Sequence, residues 1–342
     1  MTDDDVWKDR LREAEMRIEE IGGEFALIDR LSAIVPNAHT DLVAGIGDDA
    51  AVIRTAPEPA PYLLVTTDIL VEDRHFRRKW AQPEQIGIKA AESNLSDIAA
   101  MGGRPTWMFI SLVLSNDTDL SWARRLYDGI GASCRRHGAV VAGGDTSRGS
   151  ANTVNITLLG TVSRAHLCLR SHARPGDLLM VTGPLGASAA AFELLSHGTS
   201  VSDDLLEKHL TPSCRLDAAA SIAPLANAMI DISDGLGSEV HHICRQSQVS
   251  AEIYAESIPV HEAVRAAGKS LQSSPIDFAI QGGEDYELLF SIKKANLHAL
   301  KKTGITFYEV GSVTAGNAAP VLVTSKGRYP LKRGYNHFGA VK

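Results

Sequence analysis

The sequence predicts an α/β protein with two domains. Segments with the pattern of strands alternate with segments with the pattern of helices along the 342 residues. This alternation is typical of α/β and α+β folds rather than of helix bundles or β-sandwiches. Domains usually contain roughly 100–200 residues, so the length indicates two of them. Hydrophobic residues make up 44% of the chain and charged residues 22%, which is ordinary for a globular protein with a sizeable core.

The charge and the cysteine spacing exclude several classes of protein. The net charge is -7 at pH 7 and the longest basic run is Arg77-Arg78-Lys79, which argues against nucleic-acid binding and means that a polyanionic ligand would need metal ions. The four cysteines include no C-x-x-C pair, so we expect a reducing compartment and no thiolate zinc or redox motif. An acidic start and the lack of an apolar run of about 18 residues predict a cytoplasmic protein that does not span a membrane.

Two helices and two strands are predicted at the start of the chain. Residues 6–21 mix charged and apolar positions and predict a polar amphipathic helix, an extension without an assigned role. Residues 25–31 begin a second helix. Apolar and β-branched runs predict strands at 50–53 and 62–68. The second strand ends on Asp68, where a carboxylate would lie on a rigid element next to a loop.

Residues 45–52 form a glycine-punctuated turn that carries two adjacent carboxylates, Asp48 and Asp49. Glycine permits the tight or positive-φ backbone of such a turn. Two carboxylates about 4 Å apart repel each other by ~1 kcal/mol in water and by ~4 kcal/mol in a protein-like dielectric. Beside a buried strand this repulsion is costly unless a cation lies between them. A solvated turn before a strand is the alternative interpretation.

A helix is predicted from Pro83 to about residue 101, with a polar stripe along it. Lys89, Ser93 and Asp97 follow one another at intervals of four residues, with Asn94 beside them, so helical geometry places them on one side. The stripe faces solvent under one interpretation. Under the other it supplies ligands for a phosphate or a metal.

The remaining elements follow from the same two patterns. Continuous apolar, β-branched runs indicate buried strands, and apolar residues at helical spacing indicate amphipathic helices. The predicted elements are strands at 107–114, 139–142, 154–162 and 178–183, helices at 120–137, 187–195 and 212–225, and a polar loop at 196–204.

Three later turns repeat the combination of glycine and acidic residues. Glycine lets backbone N–H groups approach a phosphate, an aspartate can bind a metal, and an arginine such as Arg148 can hold an anion with two hydrogen bonds. An ornate surface turn is the alternative for the first of them. The turns are residues 143–149, 230–236 and 276–290.

The acidic residues of the four turns, of the strand end at Asp68 and of the helix at Asp97 predict a magnesium-dependent phosphate site. Oxygen ligands without histidine or cysteine suit Mg²⁺ rather than zinc, and several such ions would neutralise charge in phosphoryl transfer. Residues 263–270 resemble a P-loop but have alanine at the first glycine position, and residues 45–50 lead into a strand rather than the helix of a dinucleotide motif. His241 and His242 are expected on a helix surface. The candidate metal ligands are Asp48, Asp49, Asp68, Asp97, Asp145, Asp231 and Asp234.

Seven motifs in this order resemble the thiamine-monophosphate kinase family, which belongs to a superfamily of ATP-using enzymes with aminoimidazole ribonucleotide synthetase, selenophosphate synthetase and a hydrogenase maturation factor. The resemblance covers residues 23–339, and the order of the motifs makes it specific. One departure is Asp73-Arg74, where a small residue is expected before His75. The motifs are residues 45–52, 66–76, 94–105, 143–149, 230–236, 282–288 and 334–338.

The resemblance implies a reaction and an architecture. ATP and thiamine monophosphate would give thiamine diphosphate and ADP by direct in-line transfer, with several Mg²⁺ ions, no phosphoenzyme and no dedicated catalytic base. The fold would be the two-domain aminoimidazole ribonucleotide synthetase-like fold in a homodimer. Residues 1–22 would be a helical extension. Residues 23–163 would bind ATP and Mg²⁺ and dimerise through their sheet, and residues 164–342 would complete the substrate and nucleotide site.

The resemblance also assigns residues to three roles. Those of the metal site would be Asp49, Thr66, Thr67, Asp68, Asp97, Asp145, Asp231 and Asp234. Those that contact ATP would be Gly144, Asp145, Arg170 and Ser233, with Tyr127 or Asp128 near the nucleotide. Those of the thiamine-phosphate pocket would be His75, Glu284 and Tyr335.

Two other functions compete with this one. A sister enzyme of the same superfamily would act on a different acceptor, although selenophosphate synthetase would want a reactive cysteine early in the chain and no cysteine precedes Cys134. A non-catalytic nucleotide-binding or assembly protein could keep the fold, but the intact set of acidic residues argues against it.

Overall fold

The structure is a computed structural model that describes residues 24–57 and 59–335. Residues 40–334 form one compact unit, while residues 24–39 and Tyr335 belong to a second. Helix α1 spans Glu24–Ser32, which confirms the helix predicted from residue 25. The helix predicted at 6–21 lies outside the described residues.

A six-stranded sheet is formed by the first half of the compact unit. Its strand order is β1-β2-β3-β6-β4-β5, and only β4 and β5 run parallel. Helices α2 (Pro83–Ala100) and α3 (Leu120–His137) pack together, with α2 against β3 and β6. The strands are β1 Leu42–Ala44, β2 Ala51–Ile53, β3 Tyr62–Val71, β4 Arg104–Leu114, β5 Val140–Arg148 and β6 Thr153–Val162.

A seven-stranded sheet is formed by the second half. Its order is β13-β12-β9-β11-β7-β10-β8, and only β12 and β9 run parallel. The strands are β7 Leu178–Val181, β8 Ala226–Asp231, β9 Ser250–Tyr254, β10 Leu288–Ile292, β11 Tyr308–Thr314, β12 Val321–Thr324 and β13 Gly327–Pro330. The helices are α4 Ala187–Ser196, α5 Asp203–Leu210, α6 Leu216–Ile222, α7 Leu236–Ser247, α8 Glu262–Leu271, α9 Pro275–Gln281 and α10 Leu297–Lys302.

Alternating strands and helices confirm the predicted α/β class. The two sheets come from residues 42–162 and 178–330, while the domain boundary after residue 163 stays a prediction. In the part of the chain that the structure describes, no helix combines the length and apolarity needed to cross a membrane.

Two strands are longer than predicted. Strand β3 passes through Asp68 to Val71 because β6 pairs with it along its whole length. Strand β5 continues through the predicted turn at 143–149, because residues up to Arg148 pair with β4. Gly144 allows this close pairing, since a Cβ atom there would lie 1.9 Å from the carbonyl oxygen of Ile110.

Two elements of the second half also differ from prediction. The helix predicted at 212–225 is shorter and spans Leu216–Ile222. Helix α5 begins at Asp203, inside the predicted loop, with acidic residues in its first turn where they favour a helix start.

Helix α2 is buried on nearly all sides. Its apolar residues Leu95 and Ile98 pack in the core with Leu64, Ile110 and Ile156 of the sheet. Each such side chain contributes roughly 1.5–3 kcal/mol when it is fully buried. The polar stripe of α2 is therefore shielded from solvent too, which favours its interpretation as a set of ligands.

Candidate active site

Three aspartates that are far apart in the sequence meet inside the compact unit. Asp49 lies before β2, Asp97 on α2 and Asp231 at the end of β8. One carboxylate oxygen of each lies within 4.8 Å of the others. Burial, followed by the neighbouring carboxylates, raises the pKa of Asp97 and of Asp231 well above the ordinary value. Clustered carboxylates with this electrostatic cost are the arrangement that a bound cation relieves.

Hydroxyl groups orient two of these carboxylates. Thr66 on β3 donates a hydrogen bond from Oγ1 to Oδ2 of Asp97. Ser96 donates from its Oγ to Oδ2 of Asp231 over 2.6 Å. Sequence reasoning missed Ser96, although it lies beside Asp97 in a motif that was recognised.

Asp68 lies close enough to take part in this group. Its charge helps raise the pKa of both Asp97 and Asp231, after the effect of burial. Its backbone N–H donates to Oδ1 of Asn94 over 3.2 Å, which joins β3 to α2. The predicted grouping of Asp49, Asp68, Asp97 and Asp231 is thus present in space, while their role as metal ligands stays a prediction.

Arg170 holds Asp49 in place with two hydrogen bonds. Its Nη2 lies 2.6 Å from Oδ1 of Asp49 and its Nε lies 3.2 Å from Oδ2. Nη1 also donates to the carbonyl of Gly47 over 3.0 Å. Arg170 was predicted to contact ATP. Its guanidinium supports a carboxylate of the cluster, and its contact with ATP stays a prediction.

The second-half turns pack directly against each other. Glu284 donates from its backbone N–H to the carbonyl of Ser233 over 2.7 Å, and Tyr286 to that of Ile232 over 2.9 Å. Glu284 and Tyr286 have φ angles of 64° and 49°, a region that non-glycine residues enter at a cost of roughly 1–3 kcal/mol. Asp234 follows Ser233 in the same turn and donates from its N–H to Oε1 of Glu239 over 2.9 Å.

A second polar group surrounds Glu284. The Nζ of Lys89 lies 2.7 Å from Oε1 of Glu284 and 3.1 Å from the carbonyl oxygen of His75. Nδ1 of His209 lies 3.5 Å from Oε2 of Glu284. Burial alone would raise the pKa of Glu284, but Lys89 and then His209 outweigh it and lower that pKa. Sequence reasoning placed Lys89 on the polar stripe but assigned it no role, and it missed His209.

A small cleft lies beside this group, with Lys89, His75 and His209 among its lining residues. Nδ1 of His75 accepts the backbone N–H of Val71 over 2.9 Å, which leaves the proton of the neutral ring on Nε2. The turn before His75 requires a positive φ, and Asp73 adopts it at 65°. Glycine, which has no Cβ atom, would meet this requirement with less strain than Asp73.

The structure does not bring every predicted residue to these two groups. Thr67 points to the opposite face of β3 from Thr66, where its hydroxyl donates to the carbonyl of Ile156 and accepts from Asn155 and Thr157. Tyr335 belongs to the other unit. The predicted residues that lie on exposed surface are Tyr127, Asp128, Gly144, Asp145 and Tyr335.

The two histidines of α7 also differ from prediction. Nε2 of His241 donates a hydrogen bond to the carbonyl oxygen of Leu331 over 2.9 Å. His242 is buried, and burial lowers its pKa to about 3. The prediction of an exposed pair was therefore wrong for His242.

His209 gives stability a pH dependence that can be measured. Burial, and then the charge of Lys89, lowers the pKa of His209 from 6.5 to about 4. As the pH falls, His209 binds a proton near pH 6.5 in the unfolded chain but only near pH 4 in the folded chain. The free energy of unfolding therefore falls as the pH drops through this range. We expect His209→Asn to remove on the order of 2 kcal/mol from the difference in unfolding free energy between pH 7 and pH 5, measured with urea. The exposed His197→Asn is the control, and an undiminished difference in His209→Asn would contradict the assignment.

Two family models match the chain. The AIR synthase related protein, N-terminal domain, matches residues 47–162, and the AIR synthase related protein, C-terminal domain, matches residues 174–323. The chain is 35% identical over 327 residues to the thiamine-monophosphate kinase of Aquifex aeolicus (strain VF5), which covers 94% of this chain and 100% of that protein. It is 34% identical over 326 residues to the thiamine-monophosphate kinase of Escherichia coli (strain K12), which covers 92% and 98%.

Solved structures show the same likeness. The structure of AaThiL complexed with AMPPCP and TMP superposes with a TM-score of 0.83 at 33% identity, covering 94% of this chain and 99% of that one. The hydrogenase maturation protein HypE in complex with ATP has a TM-score of 0.70 at 20% identity, covering 82% of this chain and 87% of that one. The second likeness concerns the fold alone.

Proposed function

Because the chain belongs to the thiamine-monophosphate kinase family, we propose that its reaction, the ATP-dependent phosphorylation of thiamine monophosphate to thiamine diphosphate, proceeds by direct in-line transfer. Membership also confirms the predicted AIR synthase-related α/β fold. The observation that carries the mechanism is the meeting of Asp49, Asp97 and Asp231 beside Asp68. This set of oxygen ligands suits metal ions that bind phosphate groups.

The residues of the cluster fit Mg²⁺. They offer only oxygen atoms that lie within 4.8 Å of one another, and burial, followed by the neighbouring carboxylates, raises the pKa of Asp97 and of Asp231. Asp49, Asp97 and Asp231 would hold the ions, with Asp68 and Asp234 nearby. Bound Mg²⁺ would neutralise the negative charge that develops during phosphoryl transfer.

The side chains around the cluster position its members. Arg170 fixes Asp49, Thr66 fixes Asp97 and Ser96 fixes Asp231. No strong base is required, because the attacking oxygen belongs to a phosphate that is already largely ionised. Catalysis then depends on alignment and on charge stabilisation.

The cleft beside Lys89 is the proposed place of thiamine monophosphate. The resemblance assigns both His75 and Glu284 to the substrate pocket. Lys89 links them, because its Nζ contacts the carboxylate of Glu284 and the backbone carbonyl of His75. A carboxylate held in its charged form suits the cationic thiazolium ring of the substrate.

A chromatographic assay tests the proposed mechanism. Purified protein would be mixed with ATP and Mg²⁺ and with either thiamine monophosphate or free thiamine. We expect thiamine diphosphate from the monophosphate alone, and none after EDTA. A chiral γ-phosphorothioate analogue of ATP should give inversion at phosphorus. Retention would overturn in-line transfer, while turnover that survives EDTA would overturn the metal assignment.

Lys89→Met tests the substrate cleft. The change removes the cation between Glu284 and His75, so the half-buried carboxylate of Glu284 loses its main stabilising partner. We expect the KM for thiamine monophosphate to rise about tenfold, with little change in the KM for ATP. Steady-state kinetics with each substrate varied in turn would measure this, and the exposed Lys301→Met is the control. An equal rise in both KM values would show a general structural effect instead.

A homodimer through the first sheet is the proposed assembly. The face of this sheet opposite α2 exposes large apolar side chains, among them Trp107 at 52% and its strand partner Val140 at 60%. Strand pairing places Asp145 on the same face, and Thr67 points there too. A second copy of the chain on this face would cover the apolar residues. It would also bring the surface of the second copy close to Thr67 and Asp145, the two predicted metal ligands that lie away from the cluster in the single chain.

Light scattering coupled to gel filtration tests this assembly. We expect a dimer for the unmodified protein and a monomer for Trp107→Glu. The control is Tyr329→Glu, because Tyr329 is 49% exposed on the second sheet. A monomer in the unmodified protein would overturn the proposal.

A cytoplasmic location agrees with the state of the cysteines. All four are buried and free of disulfides, as is usual in a reducing compartment. We therefore keep the cytoplasm as the proposed compartment.

A further inference from the structure

A second group of metal-ligating side chains lies behind the active-site helix. It joins Glu92 of α2, His137 at the end of α3 and Cys214 just before α6. Five residues advance a helix by about 500°, which is about 140° beyond a full turn, so Glu92 and Asp97 lie on different sides of α2. The group is therefore separate from the acidic cluster of the active site.

The spacing of these three side chains matches a tetrahedral metal site. Nε2 of His137 lies 3.2 Å from Oε1 of Glu92 and 3.8 Å from Sγ of Cys214. One ligand atom from each lies within 4.8 Å of the others. A tetrahedral zinc ion, with bonds of about 2.0–2.3 Å, separates its nitrogen and oxygen ligands by about 3.3 Å and its nitrogen and sulfur ligands by about 3.6 Å. The side chains thus need to move by only a few tenths of an ångström.

The surroundings supply two further features of such a site. The buried hydroxyl of Ser133, one turn before His137, lies beside Glu92. The backbone N–H of Cys214 donates to Oε2 of Glu92 over 2.9 Å, which fixes that carboxylate and leaves its Oε1 towards His137. Outer contacts of this kind orient the ligands of many metal sites.

Two nearby positive charges oppose a cation: Arg215, which is paired with Glu287, and Arg136. Nη1 of Arg136 lies 3.7 Å from Oε1 of Glu92, but this arginine side chain is 56% exposed and can turn to solvent. The side chain of His137 is 8% exposed, so the group lies just beneath the surface.

We propose that Glu92, His137 and Cys214 bind one zinc ion, with the hydroxyl of Ser133 or a water molecule as the fourth ligand. A thiolate and an imidazole select zinc over magnesium, the reverse of the preference of the all-oxygen cluster. The thiol proton passes to solvent as the zinc–sulfur bond forms. The ion ties α2 to α3 and to the segment before α6, and so stabilises the helix that carries Lys89 and Asp97. The lack of C-x-x-C pairs is no obstacle, because the three ligands come from three separate elements.

Cobalt is the probe that distinguishes the two metal sites. The full-length protein would be stripped of metal and titrated with Co²⁺ in an excess of Mg²⁺, which keeps the oxygen-only cluster occupied. We expect a thiolate-to-cobalt charge-transfer band and the visible absorption of tetrahedral cobalt, saturating at one ion per chain and displaced by Zn²⁺. The band reports a cysteine ligand and does not depend on turnover.

Variants assign the band to this group of side chains. Cys214→Ser should abolish it, and His137→Gln should weaken Co²⁺ binding at least tenfold. Cys244→Ser, at another buried cysteine, should leave it unchanged. Zn²⁺ should raise the melting temperature of the unmodified protein and of Cys244→Ser but not of Cys214→Ser. If the unmodified protein gives no band, or if the band survives in Cys214→Ser, the group is an ordinary buried Glu92–His137 ion pair and the proposal is overturned.

Discussion

Asp97→Asn is expected to abolish phosphoryl transfer and at the same time to stabilise the metal-free protein. The loss of a carboxylate from the cluster should lower kcat by about 10³-fold, the scale of removing one electrostatic contact to the transferring group. The same change removes a buried charge that Asp68, Asp231 and Asp49 repel. We therefore expect the free energy of unfolding in EDTA to rise by about 1 kcal/mol. The increase in melting temperature that Mg²⁺ produces should shrink as well.

A second buried aspartate provides the control. Asp177 lies outside the cluster, and its carboxylate accepts hydrogen bonds from Asn227, from Ser291 and from the backbone of Arg174. Asp177→Asn should lower the free energy of unfolding while kcat stays within a fewfold of the unmodified enzyme. If Asp97→Asn lowered the free energy of unfolding of the metal-free protein, as Asp177→Asn should, this would contradict the prediction that the carboxylates of the cluster repel one another in the absence of a metal ion.

Arg170→Met is expected to destabilise the protein by about 3 kcal/mol, because it leaves buried carboxylates without their cation. Arg170 makes two hydrogen bonds to Asp49, and its charge also offsets part of the effect that raises the pKa of Asp48 to about 7. Chemical denaturation in EDTA would measure the loss. Mg²⁺ should restore part of it, since the ion supplies positive charge at Asp49.

Two further variants show how much of the loss in stability is specific to the buried Arg170 pair. Arg170→Lys keeps the charge but not the two-pronged hydrogen bonding, so an intermediate loss is expected. Arg328→Met breaks an ion pair with Glu252 in which the arginine side chain is 61% exposed, and it should cost under about 1 kcal/mol. Equal losses for Arg170→Met and Arg328→Met would show that Arg170 is not the main support of Asp49.

Much of the fold and the acidic residues of the site could be predicted from the sequence. Continuous apolar runs predict most strands, the glycine-acid turns predict Asp49 and Asp231 as ligands, and the polar stripe of the helix predicts Asp97. The polar stripe of α2 could not be assigned to solvent or to a site, because spacing along one helix does not show what packs against it.

Other features depend on contacts that no local pattern encodes. Arg170 and Asp49 are 121 residues apart in the chain, so their pairing appears only in the folded protein. Strand β5 runs through two glycines and Asp145, which local propensity disfavours, because pairing with β4 outweighs that propensity.

One difference was available from the sequence. Successive residues of a strand point to opposite faces, so Thr66 and Thr67 cannot both direct their side chains to the same ions. Their assignment to one site came from the resemblance. The alternation predicts the split that the structure shows, with Thr66 on Asp97 and Thr67 on the opposite face.

The strand order of the first sheet also delays strand pairing during synthesis of the chain. Strand β6 lies between β3 and β4 in the sheet. Thr67 of β3 pairs with Thr157 of β6, which is 90 residues later in the chain. Ribosomes add roughly 5–20 residues per second, so β3 and β4 emerge and stay unpaired along these edges for several seconds before β6 is made. Such edges are prone to pair with other chains. A nascent chain stalled before residue 153 should therefore depend on chaperones far more than one released after residue 162.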